Sequence, residues 1–130
     1  MKSFTPGHLV ITSVRTGEYV AEVMEVSANK VLTKTLAVRK HPTQGDLHNR
    51  NQVDVVLFHQ RRALSYLEKV WLPAGHVTEY PEASAPDYQE SLRAALDAQI
   101  AELTQQLPSP FAARSLIELD GLKKEYFPKG

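Results

Sequence analysis

Two prolines close together divide the chain into parts with different folding preferences. The stretch from Tyr80 to Pro86 contains both prolines. Proline fixes its own φ and lacks an N–H donor, so such a stretch interrupts strands and helices. Val, Leu, Thr and Tyr occur before it in short runs, whereas Ala, Leu, Gln and Glu dominate after it. We therefore predict a small β domain at residues 1–80, a linker at 81–86 and a helical C-terminal extension at 87–130.

Short apolar runs bounded by turn residues predict antiparallel strands in the first part. The predicted strands are 9–14, 18–26, 30–39 and 76–80, and residues 63–72 form either a strand or a short helical turn. Both faces of the strand at 18–26 are apolar, which predicts a curled sheet that also receives a helix. The predicted fold is mainly β with C-terminal α, a small bent antiparallel SH3-like β-barrel followed by two helices.

Two capping patterns predict the helices of the second part. Asp87 and Glu90 form a capping box, and Ser109 precedes a proline at the first position of a second helix, which ends near Tyr126. Leucines and one isoleucine then form an apolar stripe at helical spacing, namely Leu92, Leu96, Ile100, Leu103 and Leu107. Because such a stripe must be covered, we expect it to pack on the barrel or on a partner chain, the second case giving a homodimer.

The sequence carries no recognisable catalytic or cofactor pattern. His41, Asp46, His48 and His59 have ligand chemistry, but their spacing matches no helical metal motif, so we predict no metal. Neither a nucleophile elbow nor a glycine-rich phosphate loop occurs. We therefore predict that the protein is not an enzyme and has no cofactor.

The charged residues bear on whether the partner is a protein or a nucleic acid. A basic cluster surrounds the irregular segment 41–51 and consists of Arg39, Lys40, Arg50, Arg61 and Arg62, and a small barrel with basic loops can bind nucleic acid. The formal net charge of the whole chain is zero, however, which disfavours binding to a polyphosphate. Nucleic-acid binding is therefore kept as the alternative function.

Membrane insertion and thiol chemistry find no support in the sequence. No apolar run approaches the length of about 20 residues that spans a bilayer, and we expect a cytoplasmic protein. The chain contains no Cys, which excludes disulfides and thiolate-bound zinc within it.

Several stretches, spread over nearly the whole chain, are similar to one known family. They are Pro6-Gly7, Thr16-Gly17-x-Tyr19, His41-Pro42-x-Gln44-Gly45-Asp46-Leu47-His48-Asn49, Asp54-Val55, Phe58-His59-x-Arg61-Arg62-Ala63-Leu64 and Pro86-Asp87-Tyr88-x-Glu90-Ser91-Leu92. Together they resemble the kinase-associated protein B family of spore-forming Bacillus relatives. The resemblance implies a regulatory protein associated with a membrane sensor histidine kinase that feeds the sporulation phosphorelay. The family has also been called a lipoprotein, and this chain has no Cys to acylate.

A partner surface is expected on the irregular segment, because loops on a rigid scaffold often carry function. The candidate partner-binding residues are His41, Asp46, His48, Phe58, His59, Arg61 and Arg62. The resemblance makes a sensor histidine kinase the expected partner, which would also recruit this cytoplasmic protein to the membrane.

Overall fold

The computed structural model describes residues 4–45 and 58–129, and these ranges form one sheet and two α-helices. The strands and helices are β1 Leu9–Val14, β2 Gly17–Ser27, β3 Lys30–Lys40, β4 Lys69–Pro73, β5 Val77–Glu79, α1 Tyr88–Gln105 and α2 Pro110–Tyr126. A short 3₁₀ turn at Ala74–His76 joins β4 to β5. The predicted mainly β fold with two C-terminal helices is confirmed.

The five strands form an antiparallel sheet in the order β4-β3-β2-β1-β5. The sheet is not closed, because β4 and β5 stand at its two edges and do not pair with each other. Both edge strands are short, with five and three residues, so neither extends the sheet into a closed ring. The closed SH3-like barrel of the prediction is therefore not confirmed by the described strands, which form an open sheet.

The pairing of β2 with β3 contains bulges. Val20 faces Ala37 and the next residue of β2 faces Thr35, so Leu36 is an extra residue in β3. Successive residues of a strand point to opposite faces of the sheet, and Tyr19 and Val20 of β2 are each only 1% exposed. The prediction that β2 is covered on both sides is confirmed.

The threonines of β3 lie on the buried side of the strand. Thr33 and Thr35 are buried, whereas Leu32 and Leu36 are only partly buried. The Thr33 hydroxyl donates to the carbonyl of Val70 at 3.1 Å, which satisfies its polar group inside the sheet. One core cluster of four valines, one alanine and one leucine lies on this side of the sheet: Val10, Ala21, Val23, Val31, Leu72 and Val77.

The helices begin at the predicted caps. The Asp87 carboxylate accepts the Glu90 N–H at 3.0 Å, and the Ser109 hydroxyl accepts the Ala112 N–H at 3.3 Å. Ser91 then joins α1 to the sheet, because its Oγ accepts the Val38 N–H at 3.0 Å.

The apolar stripe of α1 is divided between the sheet and α2. Leu92 packs with Tyr19 and Val38 of the sheet. Leu96 and Leu103 pack on α2 instead, in a cluster completed by Phe111, Ala112, Leu119 and Leu122. Leu107 remains 44% exposed, so the buried part of the predicted stripe ends before it. The chain thus covers most of its own stripe, and a homodimer through the helices stays a prediction.

Candidate functional site

His41 lies at the centre of a buried polar network where the sheet meets both helices. It follows β3 and is 0% exposed. The Tyr126 hydroxyl accepts the Ala63 N–H at 3.0 Å, so its own proton is available for His41 Nε2 at 3.1 Å. Nδ1 then carries the ring proton, which faces the Pro42 carbonyl at 3.1 Å and the Gln99 Oε1 atom at 3.2 Å. Burial lowers the pKa of His41, which agrees with a neutral ring in this network.

Two glutamines hold the backbone around this histidine. Gln99 of α1 donates through Nε2 to the carbonyls of His41 and Pro42, both at 3.1 Å. Gln44 accepts the Arg61 N–H at 2.9 Å through Oε1 and donates to the Arg61 carbonyl at 2.9 Å through Nε2. This pairing ties the chain after β3 to the chain around Arg61. A further bond from the Gly45 N–H to the His59 carbonyl, at 2.9 Å, strengthens the same connection.

Three tyrosine hydroxyls hold the segment that follows Arg62. Besides the bond from Ala63 to Tyr126, the Leu64 N–H donates to the Tyr19 hydroxyl at 3.2 Å. The Tyr88 hydroxyl donates to the Leu64 carbonyl at 2.6 Å. Burial raises the pKa of Tyr19 and of Tyr88 to about 12, so both stay protonated near neutral pH. The backbone at residues 61–64 is therefore fixed by side chains from β2, α1 and α2.

The arginines that this segment presents are held by specific contacts. Arg61 donates from Nε to the Gly45 carbonyl at 3.0 Å. Arg62 forms an ion pair with Glu125, and its guanidinium lies 5.1 Å from the centre of the Tyr126 ring. The Arg62 side chain is still 51% exposed, so the charge remains accessible to a partner.

A cleft of about 500 Å³ lies beside these arginines. Arg15 and Thr16 from the β1–β2 turn form one side, and Gln60, Arg61 and Arg62 line it as well. The remaining lining residues are Val14, Tyr19, Pro42, Leu64, Glu68 and Val70. Three arginines thus line the cleft together with apolar and hydroxyl-bearing residues, an arrangement suited to an anionic ligand with some apolar character.

The predicted partner-binding residues occupy three kinds of position. His41 is internal, and Phe58 is partly buried 6.1 Å from Phe111, measured between ring centres. His59 is exposed beside the two arginines. Asp46 and His48 lie outside the described residues.

Sequence reasoning missed the residues that organise the site. Gln44, Gln99, Tyr19, Tyr88 and Tyr126 belong to different elements, and only the fold brings them together. Tyr19, Gln44 and Tyr88 stand in the stretches that carry the family resemblance, but that resemblance assigned no role to them. Within residues 4–45 and 58–129, the structure contains no group of three or more His, Asp or Glu side chains that could hold a metal.

Comparisons with known proteins agree on one family. Residues 14–127 match the family model described as kinase associated protein B. The chain is 42% identical over 127 residues to a Bacillus subtilis protein named kinase-associated lipoprotein B, covering 98% of both chains. It also resembles the crystal structure of kinase-associated protein B from Bacillus cereus, with a TM-score of 0.81 and 40% identity. That match covers 95% of this chain and 98% of the other.

These relatives are named for association with a kinase, not for a reaction of their own, and they do not favour the nucleic-acid alternative. The Bacillus subtilis relative is named a lipoprotein. In the part of the chain that the structure describes, neither helix has the length and apolar character needed to cross a bilayer.

Proposed function

Because the chain belongs to the kinase-associated protein B family, we propose that it is a non-catalytic accessory protein that binds a sensor histidine kinase. It binds the cytoplasmic part of the kinase and promotes its output into the sporulation phosphorelay. The protein itself is cytoplasmic in this proposal, and the kinase recruits it to the membrane. The observation that carries the proposal is the full-length similarity to relatives named for kinase association.

The proposed contact surface is the arginine face, which we define as Arg15, His59, Gln60, Arg61 and Arg62. Gln44 holds the backbone of Arg61, and tyrosine hydroxyls hold the adjoining backbone of Ala63 and Leu64, while His59 and Arg62 remain exposed. A surface that is already ordered loses less conformational entropy when a partner binds. The arginine face is therefore a better candidate for the contact surface than His41, which is buried. In the proposal, His41 positions the arginine face.

Regulation by such a protein requires no chemistry of its own. If the arginine face binds one conformation of the kinase more tightly than another, binding shifts the kinase toward that conformation. A preference of about tenfold corresponds to about 1.4 kcal/mol, which is within the usual range of allosteric coupling.

Reversing the charges of the arginine face should weaken kinase binding. We expect Arg61→Glu combined with Arg62→Glu to reduce affinity for the purified cytoplasmic part of the kinase by about tenfold or more, because lost attraction is replaced by repulsion. Isothermal titration calorimetry measures the affinity, and autophosphorylation of the same kinase sample measures the output.

The matched control carries the same change of charge elsewhere. Lys30→Glu combined with Lys129→Glu alters two exposed residues outside the cleft, and its affinity should stay within about twofold of the unmodified protein. Circular dichroism and thermal melting establish that both variants are folded. Absence of kinase binding by the unmodified protein would contradict the proposed function, and equal affinities of the two variants would contradict the arginine face.

A further inference from the structure

We propose that the cleft beside the arginine face binds an acidic peptide segment, a short run of Asp or Glu side chains supplied by the partner. The inference deepens the proposed function and rests on it only for the identity of the partner. The cleft itself is tested independently of any kinase.

The charge of the cleft is the first argument. Arg15, Arg61 and Arg62 line it, and Glu68 is the one carboxylate among its lining residues. Arg62 also forms an ion pair with Glu125, which does not line the cleft. The excess of guanidinium groups favours carboxylates as ligands, because planar guanidinium groups donate to them in a fork.

The hydroxyl of Tyr19 supplies a further donor within the cleft. Its oxygen accepts the Leu64 N–H at 3.2 Å, and no hydrogen bond among the described residues uses its proton. Tyr19 lines the cleft although its side chain is almost wholly buried. A carboxylate entering between the arginines can therefore accept a hydrogen bond from this phenol.

The apolar part of the lining distinguishes a peptide from a free inorganic anion. Val14, Leu64 and Val70 share the cleft with the arginines. The methylene groups of glutamate or aspartate side chains can pack on such surface, whereas inorganic phosphate has no apolar atoms to place there. The formal net charge of the whole chain is zero, so a nucleic acid gains little electrostatic attraction from the protein outside the cleft.

Arg15 itself is the last argument. Its φ of 55° lies in the left-handed region, where Gly or Asn sits with less strain. Arg15 thus adds a third arginine to the lining of the cleft, from the turn between β1 and β2. Ala28 and Leu67 have the same left-handed backbone and do not line the cleft, so it is the place of Arg15 in the lining that bears on binding.

The experiment uses a fluorescein-labelled hexaglutamate peptide as the probe. We expect fluorescence anisotropy to show binding by the full chain at low salt, and weakening as salt is added. Arg15→Asn, which suits the left-handed backbone, should weaken binding about fivefold because one guanidinium is lost. The control Lys30→Asn removes one positive charge outside the cleft and should change the affinity less than about twofold.

The competing outcomes are distinct. No binding of hexaglutamate, or equal affinities of the Arg15→Asn and Lys30→Asn variants, would overturn the proposal. Displacement of the peptide by inorganic phosphate or by a single-stranded oligonucleotide at equal charge concentration would also overturn it, in favour of a general anion site. If the protein binds hexaglutamate but does not bind the kinase, the peptide site in the cleft is supported and the proposed function is contradicted.

Discussion

Replacing Leu96 with Ala should lower the free energy of unfolding by about 3 kcal/mol, the largest effect that we expect from a single substitution. Leu96 is 0% exposed and packs with Phe111, Leu119 and Leu122 between the two helices. Truncation removes buried apolar surface and leaves a cavity that neighbouring side chains fill only in part. Urea denaturation followed by circular dichroism measures the change.

The control for this substitution is Ile117→Ala on α2. Ile117 is 67% exposed, so the same kind of truncation removes little buried surface. We expect its free energy of unfolding to stay within about 0.5 kcal/mol of the unmodified protein. Similar losses in the two variants would show that Leu96 is not part of a packed core.

Replacing His41 with Leu should lower the free energy of unfolding by about 2–3 kcal/mol, the second large effect. The substitution removes the acceptor for the Tyr126 proton and a donor to Gln99, both partly buried. A buried polar group that loses its hydrogen-bond partner is left unsatisfied. The free-energy cost of this exceeds the stabilisation from the added apolar surface of leucine. His59→Leu, at an exposed position, is the matched control and should change stability by less than about 0.5 kcal/mol.

The pH dependence of stability gives a second measurement on the same variant. Burial holds the pKa of His41 below its ordinary value of 6.5, so the unfolded chain binds a proton there more readily than the folded protein. This contribution to stability is present above the unfolded pKa and decreases as the pH falls through it. As the pH falls below about 6.5, the unmodified protein should lose stability that the His41→Leu variant does not lose, because only the unmodified protein has a histidine at this position to protonate. Equal pH dependence in both proteins would contradict the assignment of a neutral buried His41.

Local sequence signals predicted the elements well, because short-range interactions decide them. Asp87 and Ser109 cap the two helices as expected, since a cap needs only a side-chain oxygen and the first free N–H groups. The first strand, at residues 9–14, was also predicted from its local pattern. Closure of the sheet was not predictable in this way, because it depends on whether the short strands β4 and β5, at opposite edges of the sheet, can pair with each other.

Only part of the candidate site was predicted, because its residues come together through contacts between distant parts of the chain. Arg61 and Arg62 stood out as an adjacent basic pair, and the structure places both at the cleft. His41 stood out by residue type, yet its burial depends on Gln99 and Tyr126, which are 58 and 85 positions away. Contacts over such separations arise from the packing of helices on the sheet, so residue spacing does not reveal them.

Hydroxyl-radical footprinting of the protein bound to the cytoplasmic part of the kinase tests the central claim most directly. The account predicts that His59 and Leu64, at and beside the arginine face, lose reactivity in the complex. Tyr66 and Trp71, which are 56% and 45% exposed and do not line the cleft, should react as they do in the free protein. Loss of reactivity at Tyr66 and Trp71, with His59 and Leu64 unchanged, would contradict it.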